Sequence, residues 1–135
     1  MSARRKARKR ALDFLYEADI RKAVALDLYS TRPAQELSEG EYVLVLLNGV
    51  SEHLLKIDEL IITYAQGWDL DRMPSIDRNL LRIALFEILW SEGLDDNIAV
   101  SEAVSLAKEL STDDSAGYIN GVLGRIIALK PSLSL

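Results

Sequence analysis

Arg4, Arg5, Lys6, Arg8, Lys9 and Arg10 place six cations in the first ten residues, with no acid among them. Tyr16 follows about two helical turns after Lys9. Clustered cations attract phosphates and release their condensed counterions, and an exposed aromatic ring can stack on an unpaired base. The rest of the chain has the opposite character. Net charge is −5, so subtracting the +6 of this segment leaves −11 on the remainder. Such a body repels nucleic acid everywhere except at the basic edge, which favours selective over indiscriminate binding. The alternative reading of the same residues is a solvated basic terminus, with Tyr16 packed as an ordinary amphipathic residue.

Catalytic chemistry finds little support. His53 is the single histidine and there is no cysteine, so neither a thiolate zinc site nor a Cys nucleophile can be built. Asp95-Asp96 and Asp113-Asp114 precede helical patterns, where carboxylates cap free N–H groups and favour the positive end of the helix dipole. They read as caps rather than metal ligands. Gly121-Val122-Leu123-Gly124 has the spacing of a phosphate-clamping Gly-x-x-Gly loop. It lies inside an apolar-periodic segment, so close helix approach is the better explanation, there and at Gly49. No catalytic residue, metal or cofactor is expected.

The elements that must position the basic edge follow from periodicity of three to four residues, without the alternation of a half-buried strand. A first helix is expected from about Arg4 to Ala18, with Ala7, Ala11, Phe14, Leu15 and Ala18 as its apolar stripe. At about 100° per residue, Arg5, Lys9 and Tyr16 share the opposite face. A short helix is expected over Lys22–Tyr29, ending before Arg32-Pro33. The Ser38-x-x-Glu41 capping box opens a helix reaching Leu54, and Ile57–Ala65 continues with Asp58 as a cap. Met73-Pro74-Ser75 starts a helix with Ile76, Leu80, Ile83, Ala84, Phe86 and Ile88 inward. Further helices are expected from near Ser101 to Leu110 and after Ser111–Asp114, the last with Ile119, Val122, Leu123 and Ile126 inward. The fold class is all-α: about seven helices, no sheet, one domain over residues 1–135.

The apolar run Val43–Leu47 falls far short of the ~20 residues that cross a bilayer. Asp13, Glu17 and Asp19 interrupt what would otherwise be a secretory or transit segment. A cytoplasmic protein without membrane contact is expected.

Three stretches carry a family resemblance: Ala7–Tyr16 (ARKRALDFLY), Ile76–Ile88 (IDRNLLRIALFEI), and Ser101–Lys108 (SEAVSLAK) followed by Asp113-Asp114-Ser115 and Tyr118–Leu123 (YINGVL). In order and spacing they resemble NusB-type transcription antitermination factors over nearly the whole chain. The resemblance implies two packed helical bundles and no catalysis. It implies binding of single-stranded boxA RNA in ribosomal-RNA leader and antiterminator transcripts together with NusE, a small-subunit ribosomal protein. That complex helps RNA polymerase read through terminators and supports rRNA synthesis.

Arg4, Arg5, Lys6 and Arg8 match the family's arginine-rich RNA-binding segment, and Lys9 continues it. Tyr16 and Tyr118 match RNA-facing aromatics, and Asp77 matches a residue on the NusE-facing side. If Tyr118 faces RNA, Asp114 lies near phosphate. The sequence departs from the family at Ser101, at Asn79, expected at an exposed turn, and at Gly124, which could loosen the helix carrying Tyr118. The alternatives are the RNA-docking domain of an rRNA methyltransferase, which would need a catalytic domain beyond this chain, and a purely structural helical interaction module.

Overall fold

The computed structural model describes residues 2–32 and 40–135. Among these residues there are seven α-helices and no strand: α1 (Ala3–Arg21), α2 (Ala25–Ser30), α3 (Gly40–Glu52), α4 (Leu54–Tyr64), α5 (Ser75–Trp90), α6 (Asp96–Leu110) and α7 (Asp113–Leu129). Ser38 and Pro33, which carry the expected capping box and helix stop, lie outside the described residues.

Helix boundaries follow their caps. Ser2 accepts a hydrogen bond from the Arg5 amide and opens α1. Lys22, in the left-handed conformation at φ 54°, closes it three residues later than periodicity suggests, so α2 begins only at Ala25. Asp95 accepts from the Asn97 amide at 2.8 Å and starts α6 five residues earlier than expected. Thr112 caps α7 through the Ser115 amide, leaving Asp113 and Asp114 in the first turn. Asp58 is not a cap. It lies within α4 and receives both Nε and Nη2 of Arg82 at 2.9 Å.

Helix α5 is the central element. Its fully buried Leu80, Leu81, Leu85 and Ile88 contribute roughly 1.5–3 kcal/mol each. On one side α5 packs against α1 and α3, with α2 closing that group; on the other it packs against α4, α6 and α7. These are the two expected bundles, joined through one helix. The expected inward stripes of α1 and α7 are buried, all but Ala18 within this continuous core.

The glycines divide sharply. A Cβ on Gly49 would sit 2.1 Å from the Phe86 ring, so α3 can approach α5 only because residue 49 has no side chain. Gly121 and Gly124 are exposed and would meet nothing within 4 Å. No neighbouring helix explains them, contrary to expectation, and α7 nevertheless runs unbroken past Gly124 to Leu129.

Polar side chains lock α5 at both ends. Near its start, Asp19 of α1 accepts from Ser75 Oγ (2.7 Å), Arg78 Nη2 (2.8 Å) and Asn79 Nδ2 (2.8 Å). Burial would raise the Asp19 pKa, but these donors outweigh it and hold the carboxyl below its ordinary value. Asn79 is therefore fully buried and not at an exposed turn.

Candidate nucleic-acid interface

Helix α1 carries the basic residues, and its neighbours sort them into distinct environments. Arg8 is 3% exposed. Its Nε and Nη2 donate to Glu87 Oε1 and Oε2 at 2.8 and 2.9 Å, a two-pronged pair with a carboxylate that is itself 1% exposed. Tyr42 of α3 donates its hydroxyl to the same carboxylate. Burial, the hydrogen bond to Glu87 and the charge of Glu87 push the Tyr42 phenol up to about 12. Burial opposes the charge on Arg8, but the Glu87 pair more than compensates and raises its pKa. Arg8 is thus corrected from a phosphate ligand to the centre of an interior lock among α1, α3 and α5. Its angular position, about 20° from Leu15 on a helix wheel, is the signal that separates it from its neighbours.

Arg10 is partly buried over the Phe14 ring at 5.7 Å, whereas Arg4, Arg5, Lys6 and Lys9 stay at the surface. Arg4 stacks over the Tyr42 ring at 4.0 Å, and Lys6 is exposed. Arg5 Nε donates to Glu102 of α6 at 2.6 Å, and Lys9 Nζ donates to Glu109 of α6 at 2.7 Å. Tyr16 shares this face, with 42% of its surface exposed. The Lys9–Glu109 contact brings the arm beside the end of α6, where the chain turns at Ser111-Thr112 into α7.

Asp114 is exposed in the first turn of α7 and Tyr118, one turn on, is partly exposed. The Tyr118 ring meets Trp68 edge-on at 5.1 Å, and its hydroxyl donates to the Gln66 carbonyl at 2.9 Å. Burial raises its pKa against the lowering influence of Arg125. These contacts fix the tyrosine despite Gly124.

Asp77 is fully buried, so the expectation that it faces a protein partner is corrected. Its Oδ2 accepts from Ser115 Oγ at 2.8 Å and ties the first turn of α5 to that of α7. Spacing explains this: Asp77 stands three, four and seven residues before the buried Leu80, Leu81 and Ala84. His53 likewise has a packing role, stacked on Trp90 at 4.0 Å.

Sequence reasoning missed Glu87, Tyr42, Glu102, Glu109, Trp68 and Gln66. Only Glu87 left a signal, as an acid embedded between Phe86 and Ile88 on the inward side of α5. The others act through contacts between distant segments.

The arrangement defines a class: a helical protein with a cationic edge and partly exposed tyrosines, built on two bundles that share one helix. The NusB family model matches residues 5–128, and the chain belongs to this family. Among curated relatives, the transcription antitermination protein NusB of Arthrobacter sp. (strain FB24) is 53% identical, with 98% of both chains covered. That of Thermobifida fusca (strain YX) is 49% identical, covering 98% of this chain and 94% of the relative. The solved NusB of T. maritima superposes with a TM-score of 0.81 at 26% identity, covering 98% of this chain and 99% of that one. A structure of NusB and NusE in complex with dsRNA shares the fold, with a TM-score of 0.76 at 23% identity over 95% of this chain and 98% of that one. Family members are non-enzymatic antitermination factors.

Proposed function

We propose that this chain is an RNA-binding antitermination adapter that takes single-stranded boxA RNA of rRNA leader transcripts together with NusE. Bound there, it promotes read-through by RNA polymerase and supports rRNA synthesis in the cytoplasm. The observation that carries the reading is the concentration of cations along α1, where Arg4, Arg5, Lys6 and Lys9 stay at the surface beside an exposed Tyr16, on an otherwise acidic protein. The solved assembly of a related NusB with NusE and RNA supports the partner and the ligand class. Its RNA is double-stranded; the exposed Tyr16 ring favours unpaired bases here, because a base inside a duplex offers no free face for stacking.

The arm provides sequence-independent attraction and the tyrosines add stacking. About four neutralised phosphates give a slope of log K against log salt of roughly −3, at ~0.7 per contact for single strands. Titrating boxA-type, scrambled and duplex RNA, each with and without NusE, tests the reading. Replacing Arg4, Arg5, Lys6 and Lys9 with Gln should flatten the slope and weaken all sequences together. An unchanged slope would move the RNA site off the arm.

A further inference from the structure

Arg5 and Lys9 stand one turn apart on α1, and each already holds a carboxylate of α6. Glu102 lies 2.6 Å from Arg5 Nε and also 3.7 Å from Arg8 Nη1, while Glu109 lies 2.7 Å from Lys9 Nζ. The Lys9–Glu109 pair is open to water, with side-chain exposures of 36% and 43%. Exposed pairs of this kind contribute little to folding, because solvent screens the attraction and two long side chains must be ordered. Their greater effect is on the arm's field. Of the six cations in the first ten residues, Arg8 is spent inside the fold and two more are neutralised at the surface.

We infer that Glu109, assisted by Glu102, is an internal competitor that occupies the arm in place of RNA phosphate and sets how strongly the arm binds. This rests on the reading of α1 as an RNA-binding edge. To contact a phosphate, Lys9 must release Glu109, and the freed carboxylate still repels the incoming backbone. That cost falls on the phosphate contribution of every RNA alike and leaves base stacking untouched. Sequence-dependent contacts therefore supply a larger share of the affinity, and non-specific RNA is held weakly. The two acids grade in strength. Glu102, at 16% side-chain exposure and bridging Arg5 to Arg8, is the firmer partner, whereas Glu109 is the readily exchanged one.

The test uses the full chain and two probes, oligouridine RNA and inorganic tripolyphosphate, followed by amide shifts of α1 at low and moderate salt. Glu109→Gln should bind both probes roughly two- to fivefold more tightly at low salt. Its salt slope for oligouridine should steepen by up to ~0.7. Glu52→Gln, an equal charge change at the exposed end of α3, should shift neither by a comparable amount. Unchanged or weaker tripolyphosphate binding by Glu109→Gln, in a variant that melts like wild type, overturns the inference, because the carboxylate then organises the arm instead of competing for it. An equal gain from Glu52→Gln also overturns it, reducing the effect to net charge. If Glu109→Gln tightens tripolyphosphate while neither protein binds oligouridine, the competition stands and the RNA reading falls.

Discussion

Arg8 and Lys9 are consecutive cations on one helix, and the protein uses them in opposite ways. Arg8 points inward, pairs with Glu87 at 2.8 Å and shares that carboxylate with Tyr42. Lys9 points outward and pairs with Glu109 at 2.7 Å in contact with water. The distances barely differ; the surroundings do. A buried charge that loses its partner cannot be resolvated, whereas an exposed one exchanges carboxylate for water or phosphate at little cost. Charge density in a sequence therefore overstates a binding surface when part of it serves as an interior tie.

The largest effect expected from this contrast is on stability. Arg8→Met leaves the Glu87 carboxylate buried without its cation and should cost about 3–5 kcal/mol. Lys9→Met should change stability by no more than about 1 kcal/mol. Denaturant melts of the two variants compare them directly, and equal losses would erase the distinction. The Tyr42 phenol sharpens it further. Its folded pKa, about 12, is above the ~10 of an unfolded tyrosine. The neutral phenol therefore contributes stability that is complete below pH ~10 and is lost as pH rises toward about 12. Tyr42→Phe should remove that alkaline component, as melts across this window will show.

An intermediate effect tests whether the two tyrosines proposed to stack on RNA do more than pack. Tyr16→Ala and Tyr118→Ala should each reduce RNA affinity by about 1–3 kcal/mol with little change in salt slope. Tyr118 also donates to Gln66 and packs on Trp68, so its removal should lower the melting temperature as well. Removal of Tyr16, which is 42% exposed, should lower it less than removal of Tyr118. Loss of stability at Tyr16 with RNA binding intact in the folded fraction would return it to a packing role.

The sequence made the helical period legible wherever one face was purely apolar, as in Ile119, Val122, Leu123 and Ile126 of α7. It was least informative where a polar residue sits on an inward face. Asp77, Asn79, Arg8 and Glu87 are all buried, and each bonds a partner on another helix that local spacing cannot reveal, although Asp77 Oδ1 is left without one. Helix starts were misplaced where a capping side chain settled between alternatives. Asp95 satisfies the Asn97 amide and draws α6 forward. Asp58, a plausible cap by position, is claimed by Arg82 across the core. The basic edge was visible from composition, whereas its division into interior and exposed cations, and the carboxylates facing it, required the packing of α1 on α5 and its ion pairs with α6.

The smallest expected effect tests whether acids beside the arm act by repulsion. Asp114 lies exposed in the first turn of α7, one turn before Tyr118, while Thr112 rather than Asp114 makes the capping bond. Asp114→Asn should therefore leave the fold intact, losing at most the modest attraction of a carboxylate to the helix dipole. If RNA passes over Tyr118, removal of this charge should tighten binding by several tenths to about 1 kcal/mol at moderate salt, the scale of one screened repulsion. The gain should shrink as salt rises. Weaker binding at an unchanged melting temperature would mean that the Asp114 carboxylate accepts hydrogen bonds from a base. Asp114 would then read sequence, in contrast to Glu109, which modulates only the arm's attraction for phosphate.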